Sequence, residues 1–86
     1  MEILIPTPLH SYTAGQGRVH AEGATLDEVI TDLERQFPGI RFRMIDEQGR
    51  MRAHMRIFVN GAAVFELPTP LRDSDKVAIV QALSGG

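Results

Sequence analysis

Asn60-Gly61 stands between two apolar runs, Met55-Arg56-Ile57-Phe58-Val59 and Ala62-Ala63-Val64-Phe65. Both residues readily take the positive φ angles of a two-residue turn whose twist suits paired strands, so this stretch predicts a β-hairpin. Upstream, Ile3 to Leu9 is densely apolar but carries Pro6 and Pro8, which predicts a strand that ends early or widens near the prolines. Ser11 to Gly17 reads as a turn, and Arg18-Val19-His20-Ala21-Glu22 alternates polar with apolar residues as a half-buried strand does. These two segments are expected to pair as a second hairpin, closed by Gly23.

Thr25 and Glu28 have the spacing of a capping box, in which hydroxyl and carboxylate reciprocally satisfy free amides at a helix start. Leu26, Val29, Ile30, Leu33 and Phe37 then recur at helical spacing, with Asp27, Asp32, Glu34 and Arg35 between them. The segment therefore predicts a helix with one core-facing stripe, stopped by Pro38-Gly39. Its early carboxylates suit the positive end of the helix dipole and are read as stabilising rather than catalytic. Ile40 to Arg52 is expected to be irregular, with Asp46-Glu47-Gln48-Gly49 as a turn and Phe42, Met44 and Ile45 closing one edge of the core. Leu67 to Leu71 reads as a crossing loop, Asp73-Ser74-Asp75 as a polar turn, and Lys76 to Val80 as a last strand, with Val80 assigned to the core and a partner contact as its alternative.

The order strand, strand, helix, strand, strand, strand lays one helix across a mixed sheet. The expected fold is α+β, a β-grasp or ubiquitin-like domain with about five strands and one main helix. Residues 1–82 would form the domain and residues 83–86 a flexible tail. In this layout the first and last strands run side by side in parallel, so the last strand projects the tail away from the domain.

Eighty-six residues suffice for one modest core, burying roughly 60 to 65% of the unfolded surface. No apolar run approaches the roughly 20 residues that span a bilayer, and no basic segment precedes the short apolar start, so no membrane role and a cytoplasmic address are expected. A net charge of -2 offers nucleic acid no general attraction. Most of the basic residues fall between Arg41 and Arg56, but no aromatic residues interleave there as stacking platforms, so a solvated face or a partner contact is expected.

Catalytic sets are missing from the pattern. The chain has no cysteine, hence no disulfide, thiolate metal site or cysteine nucleophile. His10, His20 and His54 have no spacing that brings two together, so surface positions and no metal are expected. Ser11, Ser74 and Ser84 lack a nucleophile elbow, and no glycine-rich phosphate loop precedes the helix.

What remains is the end of the sequence, Gln81-Ala82-Leu83-Ser84-Gly85-Gly86. Chance ends about one chain in two hundred with Gly-Gly, so the pair alone is a weak sign. Its chemistry says more. Without Cβ atoms, two glycines can thread a narrow channel and present an unhindered carbonyl. A carboxylate is ionised at neutral pH and is a poor electrophile. Conversion to a mixed anhydride with AMP would make it reactive toward sulfur, giving a thiocarboxylate. In a chain without cysteine, transferable sulfur has to ride there rather than on a persulfide.

Several motifs together resemble the ThiS/MoaD family of ubiquitin-like sulfur carriers over essentially the whole chain. They are Ile5-Pro6-Thr7-Pro8-Leu9 with Tyr12-Thr13, Glu22-Gly23-Ala24-Thr25, Phe37-Pro38-Gly39, Val59-Asn60-Gly61, Leu71-Arg72-Asp73-Ser74-Asp75-Lys76-Val77, and Gly85-Gly86. The resemblance implies that Gly86 is adenylated and then converted to a thiocarboxylate, with Gly85 giving access and Ser84 and Leu83 contacting the activating or acceptor enzyme. It implies no cofactor bound by the chain itself, with ATP and a sulfur donor used by partner enzymes. Those partners are an adenylyltransferase related to ubiquitin-activating enzymes and a sulfur-accepting synthase. The Phe37-Pro38-Gly39 exit, the 46–49 turn and Phe58-Val59-Asn60-Gly61 are most similar to the branch serving a pyridoxal-phosphate-dependent cysteine synthase; molybdopterin, thiamine or related products are the other destinations.

Two positions depart from the pattern. Ser74 replaces the middle glycine of an Asp-Gly-Asp turn, which suits a backbone that needs no positive φ there. Gln81 stands where the family often has proline, which leaves the tail more freedom. Two other functions compete. A protein modifier would join Gly86 to lysines after the same activation, and a noncovalent β-grasp interaction module would not need Gly86 at all.

Overall fold

A computed structural model describes residues 1–82. Its strands are β1 (Glu2–Leu4), β2 (Arg18–His20), β3 (Met55–Val59), β4 (Ala62–Val64) and β5 (Lys76–Gln81). They form one sheet in the order β2-β1-β5-β3-β4. β1 pairs antiparallel with β2 and parallel with β5, while β5 and β4 both pair antiparallel with β3. The expected β-grasp order and the parallel pairing of first and last strands are both present.

One face of the sheet is covered by α1 (Leu26–Gln36), whose Leu26, Val29, Ile30 and Leu33 are buried. Alternation supplies the facing layer: Ile3, Val19, Ile57, Val77 and Ile79 are all buried in the same cluster. Phe37 packs on the edge of this core. The capping box forms, since the Thr25 hydroxyl accepts the Glu28 N–H at 3.2 Å. The Glu28 carboxylate reaches back to the Ala24 N–H at 3.0 Å.

Asn60 and Gly61 take φ angles of 51° and 86°, as a tight hairpin turn requires. Asn60 also fastens the turn to β5. Its side-chain amide donates to Asp75 Oδ1 at 2.8 Å, and its carbonyl Oδ1 accepts the Lys76 N–H at 2.9 Å. Asp75 in turn accepts the Arg72 N–H at 2.8 Å. Ser74 is not among the positive-φ residues, so serine fits this turn.

As expected, β1 ends early, at Leu4, because Pro6 and Pro8 cannot donate to a sheet ladder, and Thr7–Leu9 form a 3₁₀ turn. Other expectations need correction. The stretch after Pro38-Gly39 is not wholly irregular: Ile40–Met44 form a second helix, α2, burying Ile40 and Met44. Met44 and Ile45 do close the core, but Phe42 is 56% exposed, on the outer side of α2. β4 ends at Val64, leaving Phe65 exposed. Val80 is not core. Register sets Val77 and Ile79 toward α1, so Val80 turns to the outer face with 40% exposure. Residues 83–86, including the expected tail boundary, lie outside the described residues.

Candidate functional site

β5 is the last strand in the chain and the middle one of the sheet, held on both sides. β1 hydrogen-bonds along its first half, and β3 along its whole length. The last recorded bond runs from the Ala82 N–H to the His54 carbonyl at 2.7 Å. The strand therefore delivers the chain at a fixed point beside the 50–54 loop. The sequence-derived site residues Leu83, Ser84, Gly85 and Gly86 follow this point and lie outside the described residues.

Around the same strand, the outer face of the sheet bears an apolar strip. Cross-strand register puts Phe58 beside Ala78 on β5, Leu4 on the other side of Ala78, and Arg56 beside Val80. Leu4 and Val80 are each 40% exposed. A shallow groove of about 400 Å³ runs here between Glu2, Leu4, Phe58, Lys76 and Ala78. An apolar strip ringed by charges is the composition of a protein-contact surface rather than of a reaction pocket. Sequence reading offers only Val80 of this surface as a contact, because Val77-Ala78-Ile79-Val80 is uniformly apolar and gives no sign of which residues face outward.

Four carboxylates sit below the usual carboxylate range, each because hydrogen bonds favour its anion. Asp32 accepts the Glu22 N–H and is bound by Arg35. Glu34 accepts the N–H groups of Gly39 and Arg41. Asp46 accepts those of Arg50 and Gln48, and Asp75 that of Arg72 together with the Asn60 side chain. Asp32 ties the connection after β2 to α1, while Glu34, Asp46 and Asp75 anchor a helix start and two turns. Of the histidines, His20 and His54 are exposed as expected, but His10 is half-buried, with Nε2 2.9 Å from the Ile5 carbonyl. Among the described residues no cluster of three metal-ligating side chains forms, and no helix is long and apolar enough to cross a membrane.

One helix gripped by a mixed five-stranded sheet, with the last strand central, defines a ubiquitin-like β-grasp protein. Comparison with known proteins narrows this. The profile of the ThiS family matches residues 3–86, and the chain belongs to that family. The sulfur carrier protein CysO of Mycobacterium tuberculosis is 40% identical over 89 aligned positions, spanning 98% of this chain and 96% of its own. A chain of the Amycolatopsis orientalis BexX/CysO complex superposes with a TM-score of 0.91 at 33% identity, covering 99% of this chain and 98% of that one. Small archaeal modifier protein 3 of Haloferax volcanii is 32% identical over 68 residues, 76% of this chain and 73% of its own.

Proposed function

We propose that this chain is a sulfur carrier of cysteine biosynthesis, with Gly86 as the group that carries the sulfur. The observation that carries the reading is the placement of β5, a central strand bonded as far as Ala82, four residues before Gly86 in the sequence. Near full-length likeness to sulfur carrier protein CysO supports the same reading. The chain acts as a protein substrate. A partner adenylyltransferase joins the Gly86 carboxylate to AMP from ATP, releasing pyrophosphate. Sulfide from a donor then displaces AMP, leaving a thiocarboxylate. Gly85 admits the end to a narrow channel, with Leu83 and Ser84 as contacts on the enzyme. A synthase then takes the sulfur, and we assign that step to a pyridoxal-phosphate-dependent cysteine synthase. ATP and the sulfur donor belong to the partners, and the cytoplasm is the compartment that supplies them.

The test is intact mass spectrometry after incubation with an adenylating enzyme, ATP and a sulfur donor, followed by a thiol-alkylating reagent. Since the chain has no cysteine, the expected result is one alkyl adduct, mapped to Gly86 and absent when Gly86 is deleted. Likeness to a small archaeal modifier protein supports a second reading, in which the activated Gly86 is joined to lysines. Lysine-linked adducts without a thiocarboxylate would replace the carrier reading with that one. Full function without Gly86 would remove both and leave a noncovalent module.

A further inference from the structure

The 43–56 segment reverses the charge balance of the chain. It sets Arg43, Arg50, Arg52 and Arg56 against Asp46 and Glu47, whereas the remainder has five cations and nine carboxylates. Two of these arginines are fixed by the backbone. Arg52 Nε donates to the Phe42 carbonyl at 2.7 Å, and its guanidinium lies 4.6 Å from the centroid of the Phe42 ring. Arg56 Nη1 donates to the carbonyls of Ala53 and Met55 at 2.6 and 2.8 Å. Those carbonyls flank His54, whose own carbonyl holds the Ala82 N–H. Because carbonyls alternate along β3, the Arg56 guanidinium lies on the side of β3 turned away from β5, one strand's width from Ala82. Arg50 is 75% exposed, only 3.9 Å from the Asp46 carboxylate, and lines an open cleft of about 410 Å³ with Arg52 and His54.

A second observation concerns which cations are used. Lys76 is the only lysine of the chain, and it begins β5, about 20 Å from Ala82 at the rise of an extended strand. The cations lining the cleft at His54, which holds the Ala82 N–H, are arginines. Arginine stays protonated at neutral pH and does not attack acyl groups, whereas a neighbouring lysine amine can displace AMP from an activated carboxyl and form an amide.

We infer that Arg50, Arg52 and Arg56 form a docking surface for an acidic stretch of the enzyme that acts on the tail, built from arginine so that it attracts without consuming the activated end. Fixed guanidinium groups lose little freedom on pairing with carboxylates, and a charge patch beside the tail orients the encounter. Nucleic acid is the less favoured occupant, because Arg52 already covers a face of Phe42 and the chain is net negative. The identity of the partner rests on the carrier reading above; the binding itself does not.

The experiment uses probes that need no activated carboxyl. A decaglutamate peptide is titrated into the labelled chain at about 20 mM salt, where charge attraction is weakly screened, and backbone amide shifts are followed. Shifts confined to residues 43–56 and Ala82, and about tenfold weaker binding in R50E/R52E, are expected. R50Q alone, which removes no backbone contact and sets no second carboxylate beside Asp46, should weaken binding in the same direction and guards against a disturbed loop. Shifts scattered over the surface, equal binding by both variants, or stronger occupation of these amides by decauridylate would overturn the docking surface. In parallel, the chain is prepared with its end as a thioester. R56K should lose the thiol as an internal amide while the unchanged chain persists; equal persistence would overturn the reason for arginine. Absence of enzymatic thiocarboxylate with normal peptide binding would instead count against the carrier reading alone.

Discussion

The two helices lie next to each other and are built on opposite principles. α1 starts on signals found within four residues of itself: the Thr25 hydroxyl, the Glu28 carboxylate and acidic residues in its first turn. α2 has only five residues and begins at Gly39, which has no side chain to cap with. Its free amides are served from α1, where Glu34 accepts the Gly39 and Arg41 N–H groups at 2.9 Å each. Arg41 ties back to Asp27 of α1 at 2.8 Å. A helix this short is unstable alone, so α2 exists because α1 is already there. Local chemistry makes one helix and tertiary contact makes the other.

The largest expected effect strikes the junction between them. Gly39 has φ of 100°, and a Cβ there would come within 3.0 Å of Tyr12 Cε1. Gly39→Ala should cost about 2 kcal/mol, from backbone strain with the ring contact added. Urea denaturation measures this, and a loss under about 0.5 kcal/mol would mean that the turn relaxes freely. The Tyr12 ring thus lies over Gly39, so the Tyr12-Thr13 and Phe37-Pro38-Gly39 motifs adjoin in the fold.

Next in size is Glu34→Ala, at about 1.5 kcal/mol for two hydrogen bonds to a charged acceptor. Amide exchange should quicken at Gly39 and Arg41 while α1 keeps its protection. Loss of protection in α1 as well would break the comparison, since α1 would then depend on α2. Glu34 also gives a pH dependence. Its carboxyl sits below its ordinary value in the folded state, so the unfolded chain binds the proton more tightly. Stability from this group is present above the ordinary carboxylate range near pH 4 and is lost as pH falls through the lower folded value. In Glu34→Gln this part of the acid loss should disappear, leaving the parts due to Asp32, Asp46 and Asp75. Thr25→Ala follows at about 1 kcal/mol, the usual value of a hydroxyl cap. Its faster exchange should begin at the Glu28 amide.

This contrast also separates what the sequence reveals from what it hides. The capping box, the core stripe of α1 and the Asn60-Gly61 turn depend on residues a few positions apart, and each appears as expected. Strand order followed from those elements and the handful of ways to cover one sheet with one helix. α2 was hidden because its cap comes from Glu34. Phe42 and Val80 were read as core because they are apolar, but the turn of α2 and the register of β5 point them outward. The site divides in the same way: Gly85-Gly86 can be read directly, whereas the Leu4, Phe58, Ala78 and Val80 strip depends on three strands meeting in register.

The smallest expected effect is at Gln81, where the resemblance sets a proline against this glutamine and leads one to expect more freedom for the tail. Bonds from Asn60 N–H to the Lys76 carbonyl and from Ala82 N–H to the His54 carbonyl fix which residues of β5 face β3. In an antiparallel ladder these alternate, so the Gln81 N–H faces the β1 side. There β1 has already ended, its last pair being Leu4 with Ala78. A proline at 81 thus forfeits no ladder bond, and the residue before it, Val80, is extended as proline prefers. Gln81→Pro should change stability by less than about 0.5 kcal/mol. A loss of about 2 kcal/mol would mean that the Gln81 amide is bonded after all, making the end of β5 as dependent on distant partners as α2 is.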